Sequence, residues 1–530
     1  MGENLSMALG RAKVQQRFEN PREILGDRLK EGSLYRLLAD HGQRLFGDDY
    51  FADLYAESAR GRPTIAARVM ATVMVLQAFE GLSDAEAVDR LSFDLRWQAA
   101  AGVDTGYVAF HPTSLVGQRN RLRASARPRR LFEDTKVVAK ETGAMKGRAR
   151  VLDSTPLHDA VATQDTVTQL RAAIRKLLVA LDQEGSPLAG TVRGVLVRDD
   201  EYDTVGKPPC DWDDKGARDA LVDALVRDAL GALSVIDGET LAPAAAAAAD
   251  LLALVAGQDV EEGDDGVFRI VHKVAKDRVI STVDPEARHG HKSRNRRFDG
   301  YKAHLSIDPD SELIDEVAVT PANTPDRDAV DDLVRNLADE VDKPEILGDS
   351  AYADGATRAA LSEAGFEVVA KVPPVRNATG LFTKDRFNVD LETHTVTCPA
   401  GQRVAINPTR DGGGRASFKV HCTECPLRRA CTKSRSGRTI TIGRHEDLLQ
   451  MARSDQSTPE WQARYRADRP KVERKISHFV RRPWGGRHAR VRGKRRIATD
   501  VDTRAGAINW ARLAVLGLDH DGDRWSVAGL

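Results

Sequence analysis

The stretch from Tyr301 to Pro373 leaves this chain little choice of architecture. Two β-prone runs, YKAHLSID (301–308) and ELIDEVAVT (312–320), are joined by an Asp-Pro-Asp-Ser turn. A helical stretch follows at 327–340, then the strand-like EILGDSAYA (345–353). Next come a helix at 355–364, closed by Gly365, and the strand-like FEVVAKVP (366–373). Hairpin, helix, strand, helix, strand is the order of an α/β unit with a mixed sheet. An earlier run, RVLDST (150–155), supplies a further short strand ending at Pro156.

At 530 residues the chain exceeds what one core serves, so this unit has neighbours. Residues 1–145 read as helical. Ser83 followed by Glu86 suits a capping box, and AEAVDRLSFDLRWQ continues at helical spacing. Pro112-Thr113-Ser114 introduces LVGQRNRLRA, with Arg119, Arg121 and Arg123 expected on its surface. These two helices fit either a helix-turn-helix-like DNA reader or a plain bundle with a basic face. Residues 160–265 read as a helical insertion. One apolar face comprises Val167, Leu170, Ile174, Leu177, Leu178 and Leu181, another Leu221, Leu225, Leu230 and Leu233. A basic helix at 459–481 and an apolar one at 503–518, suited to packing on the sheet, close the pattern. The expected division is 1–145 helical, 146–159 first core strand, 160–265 insertion, 266–375 core, 376–450 cysteine-bearing insert, 451–520 late helices with a basic segment, and 521–530 tail.

Seventy-nine basic and 79 acidic residues cancel to a net charge of +0, but they are segregated. Between Arg464 and Arg496 only Asp468 and Glu473 oppose a dense run of arginine and lysine. A second basic run extends from Arg288 to Lys302. Each run fits a solvated surface or a polyanion-binding one, and two of them flanking acidic strand ends favour DNA. No long uncharged apolar run suggests a membrane span, and MGENLSMALG has charge where a secretion signal needs apolar residues. A cytoplasmic location is expected, with its five cysteines as thiols or metal ligands.

Asp153 in VLDS and Asp349 in ILGDS each end an apolar strand, where ligands of α/β sheets gather. Carboxylates converging there repel one another unless a divalent cation lies between them. Hard oxygen ligands suit Mg²⁺ or Mn²⁺, and a pair of such ions serves in-line displacement at phosphorus.

On VLDST (151–155), STVDPEARHGHKS (281–293), FDGYKAHLSID (298–308), ANTPD (322–326) and GDSAYAD (348–354), the chain resembles bacterial insertion-sequence transposases of the DDE class, in the branch with an N-terminal helical domain and a cysteine-bearing insert. The resemblance runs from about Phe46 to Leu518. It implies an RNase H-like catalytic core in an α/β fold, with an all-α N-terminal domain, a helical insertion and a small zinc-binding β insert. It makes Asp153, Asp349 and Glu473 the catalytic triad and the ligands of two Mg²⁺ or Mn²⁺ ions, with Asp153 shared between them. The family places a Tyr and an Arg before the Glu and a basic residue after it. Tyr465, Arg469 and Arg481 supply those types, with a Tyr–Arg gap one residue longer than usual and Arg where Lys is common. Glu460 is the reserve for the third acid.

The implied reaction is hydrolysis at a transposon end, followed by attack of the freed 3′-OH on target DNA. Double-stranded DNA, as terminal inverted repeats and target, is the implied partner, with a homodimer or larger assembly forming on it in the cytoplasm near the nucleoid. The expected DNA contacts are Lys292, Arg294, Arg296, Arg297, Lys302, Trp461, Tyr465, Arg469, Arg474, Lys475, Arg481 and Arg482. Trp461 fits base stacking or, more commonly for tryptophan, core packing. The alternatives are a metal-dependent nuclease without strand transfer, or a non-catalytic zinc-stabilised DNA-binding protein.

Cys398, Cys422, Cys425 and Cys431 lie in a Gly-rich, β-like segment, while Cys210 stands apart. Four soft ligands suit tetrahedral, structural Zn²⁺. A redox CxxC is disfavoured, because Pro426 follows Cys425 where a helix would start. Unliganded thiols are the remaining reading.

Overall fold

The computed structural model describes residues 19–55, 63–271, 275–293, 295–375, 380–481 and 486–528. The N-terminal region is helical. It includes α1 (Ala67–Glu80), α2 (Asp84–Phe93), α3 (Leu95–Ala101), α4 (Thr113–Ala124) and α5 (Arg130–Glu141). The Ser83–Glu86 capping box starts α2 as expected. The helix does not run on through Trp97, however. Asp94 takes extended backbone and caps α3 by accepting the Arg96 N–H at 2.9 Å. With α3 inserted between α2 and α4, the pair lacks a short helix-turn-helix connection, which favours the plain bundle. Arg119, expected on the surface, bonds Asp84 across the bundle at 2.9 Å.

The core sheet begins with β1 (Ala149–His158). The chain then leaves it for a helical cluster built on α6 (Thr166–Gln183), α7 (Lys215–Ile236) and α8 (Pro243–Gln258). The expected face of α6, from Val167 to Leu181, is buried there. On α7 the buried line is Leu221, Leu225, Ala229, Ala232 and Ile236, and Leu230 is exposed. Alanines at helical spacing carry the contact that the sequence reading gave to Leu230.

The chain returns as β2 (Arg288–Ser293), β3 (Arg296–Ile307), β4 (Ile314–Pro321), β5 (Glu345–Gly348) and β6 (Val368–Ala370), with α9 (Gly355–Glu363) between the last two. The sheet order is β2-β3-β1-β5-β6, with β4 also on β3. β1, β3 and β4 are antiparallel neighbours, whereas β5 runs parallel to β1 and β6 to β5. β1 runs past Pro156, contrary to expectation. Its pairing with β5 ends at Val151, so the edge at Pro156 has no β5 partner and a proline without an N–H is tolerated, before His158 bridges to His488. The helix expected at 327–340 is broken into 3₁₀ and α turns between Asp326 and Leu337.

Two late helices cover the sheet, α10 (Pro459–Val480) and α11 (Lys494–Val515). α11 starts nine residues earlier than expected and joins two cores. Ile497, Val501 and Ile508 pack on the sheet, while Trp510 and Leu513 pack into the N-terminal helices. Gly506 permits the crossing with α5, since a Cβ there would meet Leu131 O at 2.5 Å. Asn509 pins α11 to β4, exchanging 2.8 Å bonds with the Ile314 N–H and carbonyl. Between sheet and α10, residues 388–442 form two three-stranded sheets around Val396, Phe418 and Ile440.

Candidate active site

Parallel pairing brings Ala149 opposite Glu345 and Val151 opposite Leu347. Continued two residues past its last pair, that register points Asp153 toward Asp349, and Asp349 is close enough to act on the Asp153 carboxyl. There the second strand stops, short of the expected 345–353. Gly348 ends it, and a Cβ at Gly348 would meet Tyr352 at 2.9 Å. Asp349 caps the 3₁₀ turn that follows by accepting the Ala351 N–H at 2.8 Å. Burial pushes the Asp153 carboxyl up and Asp349 adds to the push, while Arg469 pulls it down without cancelling the rise.

α10 lies across these strand ends. Its N-terminus is set by Thr458, which accepts the Trp461 N–H, and by Pro459. One turn apart on α10, Arg469 is buried toward the site, while Glu473 is exposed and meets the site only through Arg469. Arg469 Nη2 is 3.0 Å from Asp153 Oδ2, and Nη1 is 3.6 Å from Glu473 Oε1. The Arg469 side chain is 10% exposed and that of Glu473 67%. Tyr465 donates its hydroxyl to the Gly348 carbonyl at 3.2 Å, which ties α10 to the residue before Asp349. Trp461 stacks on Tyr465 at 4.9 Å between ring centroids, and the Lys371 ammonium lies 4.7 Å from the Tyr465 ring centre. Glu460 is exposed in the first turn of α10, far from Asp153 along the helix.

Consecutive strand residues face opposite ways, so Ser154 points away from α10. Its hydroxyl donates to Asp326 Oδ2 at 2.7 Å, and Lys302 Nζ donates to Asp326 Oδ1 at 2.6 Å and to the Thr324 carbonyl at 2.8 Å. Burial raises the Asp326 carboxyl, but the Lys302 bond and the neighbouring charges hold it below the usual carboxylate range. Beside them His304 bonds Thr320 at 2.8 Å, and burial lowers its imidazole to about 4. The buried Tyr352 hydroxyl has no hydrogen-bond partner among the described residues. Sequence reading missed this polar layer, although Asp326 ends the ANTPD motif.

Several residues expected on DNA are turned inward. Lys302 is held by Asp326, Tyr465 by Gly348 and Arg469 by Asp153. Lys475 is 2% exposed and 3.6 Å from Glu312, and burial lowers its ammonium to about 8. Trp461 is buried, which gives it the packing role. Lys292, Arg296, Arg297 and Arg481 are exposed, and Arg474 is exposed while paired with Glu312 at 2.6 Å. Arg294 and Arg482 lie outside the described residues. A cleft of about 430 Å³ gathers Arg123 of α4 with Arg492, Arg495 and Arg496 at the start of α11. Burial and then the charges of Arg496, Arg119 and Arg495 lower the Arg123 guanidinium.

The four clustered cysteines line one cavity of about 20 Å³, room for a single water-sized particle. Burial raises the Cys431 thiol, and the other three cysteines contribute to the rise. The Arg438 backbone N–H donates to Cys422 Sγ at 3.4 Å. Among the described residues no group of three or more His, Cys, Asp or Glu side chains is arranged as a metal-ligand set.

Residues 397–514 match the family described as Transposase DDE domain, and residues 23–121 match the one described as Transposase domain (DUF772). These two matches support the resemblance to insertion-sequence transposases of the DDE class. Transposase families of this kind indicate DNA transposition and DNA binding, and DDE domains generally use a divalent metal. The DDE match takes in Glu473 and the four clustered cysteines but neither Asp153 nor Asp349. No match was found among curated proteins or among solved structures. Among the described residues no helix is long and apolar enough to cross a membrane.

Proposed function

We propose that the chain cuts DNA at transposon ends and joins them to target DNA, with Asp153, Asp349 and Glu473 as the acids of the reaction centre. The observation that supports this reading is the approach of the two strand ends that carry Asp153 and Asp349, with Arg469 of α10 bonded to Asp153 and neighbouring Glu473. The strand order β4-β3-β1-β5-β6, with three antiparallel members followed by two parallel ones, supports an RNase H-like core.

The acids fit a divalent cation. They are hard oxygen donors, Asp349 already raises Asp153, and a guanidinium now lies between Asp153 and Glu473. When bound, Mg²⁺ or Mn²⁺ ions activate the attacking oxygen and stabilise the leaving one. Tyr465 fixes the end of β5, and Ser154, held by Asp326, fixes β1 beside Asp153. The DNA backbone follows the exposed Lys292, Arg296 and Arg297 and the arginine cleft between α4 and α11. The cysteine cavity fits one structural Zn²⁺, whose charge would offset four thiolates and hold the insert together.

Asp153→Asn and Asp349→Asn are expected to bind end DNA normally in gel shifts while losing cleavage. Cutting by either variant at the wild-type rate refutes the assignment. Glu473→Gln is expected to lose both cleavage and strand transfer of pre-cleaved ends in Mg²⁺ and in Mn²⁺, and Glu460→Gln to keep both. The reverse pattern makes Glu460 the third acid.

A further inference from the structure

We propose that Arg469 is an internal counter-cation that competes with divalent metal for Asp153 and Glu473, so that the guanidinium must leave Asp153 before the site can load. The inference rests on the reading of these acids as metal ligands and adds a control over when they become available.

Geometry carries the argument. Arg469 projects from the same helical face as Glu473 and reaches Asp153 with Nη2 at 3.0 Å. Its Nη1 stands 3.6 Å from Glu473 Oε1, too far for a hydrogen bond. That nitrogen is buried and has no hydrogen-bond partner among the described residues. The guanidinium therefore brackets two of the three acids but satisfies only one of them well. A pair chosen for stability alone would close both contacts, because an unmet buried donor destabilises the fold. The arrangement suits a cation held loosely enough to be exchanged for another. It also accounts for the lack of a ligand-set geometry at the acids, since the guanidinium takes up the space between Asp153 and Glu473.

Sterics and charge agree. A guanidinium and a divalent ion cannot both sit against Asp153 Oδ2, whose carboxylate keeps only Oδ1 in another bond, to the Ser154 N–H at 2.8 Å. With Arg469 in place the local charge of the acids is partly neutralised, which lowers their pull on metal.

The test is Mn²⁺ binding to the full chain without DNA, read by electron paramagnetic resonance of the free ion. Arg469→Gln is expected to bind Mn²⁺ about tenfold more tightly than the wild type, the effect of removing one competing contact of about 1.4 kcal/mol. Arg469→Lys keeps the charge but cannot bracket both acids, and its affinity is expected between the two, which preserves the test if the glutamine variant does not fold. Lys371→Gln removes a nearby positive charge that touches neither acid and is expected to leave Mn²⁺ affinity close to wild type. An Arg469→Gln affinity equal to wild type overturns the proposal, as does an equal gain from Lys371→Gln, which would make the effect a general field. Asp153→Asn separates the two levels of the argument. If it binds Mn²⁺ as well as the wild type, the metal-site reading fails. If it loses binding while Arg469→Gln gains none, the counter-cation alone fails.

Discussion

Replacing Asp326 by alanine tests whether the layer beneath β1 holds Asp153, the first of the proposed catalytic acids, in place. Asp326 and Lys302 are 17% and 14% exposed, so the substitution leaves an ammonium largely out of water with one carbonyl, that of Thr324, for company. Breaking a buried pair from one side costs about 3–5 kcal/mol, and the residual exposure argues for the lower end, about 3. Ser154 loses its acceptor as well, for about 1 kcal/mol more. Because a chain of this size does not unfold in one step, amide hydrogen exchange in β1 and β3 is the appropriate assay. A total loss of about 4 kcal/mol accelerates exchange there roughly a thousandfold. Lys302→Met together with Asp326→Leu removes both charges and is expected to recover most of that protection, a coupling of about 2–3 kcal/mol. The native Asp326 carboxyl titrates below its unfolded value, so the pair's contribution is present above about pH 4 and is lost as acid protonates it. Unchanged exchange in Asp326→Ala, or a double variant as open as the single one, would refute the reasoning.

Two further outcomes follow from buried groups elsewhere. Lys475→Met is expected to leave DNA affinity unchanged in gel shifts, contrary to what the basic run suggests. In the wild type the lowered native value, about 8 against 10.5 unfolded, makes stability climb between those pH values, by up to about 3 kcal/mol. The variant should lack that climb in denaturation at pH 8 and pH 10.5, and a weakened gel shift would count against the internal placement of Lys475. Elemental analysis of the purified chain should find about one zinc per molecule, lost in Cys422→Ser with Cys425→Ser and kept in Cys210→Ser. Zinc-free wild-type protein would leave the cavity a cluster of plain thiols.

The backbone of the site was legible because its signals are local. VLDS and ILGDS each combine an apolar run with an acid at its end, and the order of elements around them allows only a mixed sheet. Boundaries failed where tertiary pairing decides them. β1 outlasts Pro156 because β5 has already ended, a fact about a strand almost 200 residues away. The single helix expected through Trp97 breaks at Asp94, whose side chain serves better as a cap than inside a turn. Leu230 was assigned to a buried face by its type, but packing on α7 follows the narrower alanine line.

The basic residues show the deeper reason. Sequence reading assigns a lysine or arginine in a positive run to an external polyanion, since its neighbours in the chain are like-charged. A fold can bring a distant acid to it, and the assignment then reverses. Lys302 meets Asp326 across a strand pair, Lys475 meets Glu312 from a turn more than 160 residues earlier, and Arg469 meets Asp153 from a helix on the far side of the insert. Lys475 and Arg469 are buried and Lys302 is largely so, and a charge taken out of water must have a partner. The proposed DNA path draws instead on cations with solvent around them, among them Lys292, Arg296 and Arg297 on the hairpin and Arg492, Arg495 and Arg496 around the start of α11. Arg469 belongs to neither group completely, being buried but only half satisfied. A residue in that state gains most from a change of partner, and in this fold the atoms it would release are the carboxylate oxygens of Asp153.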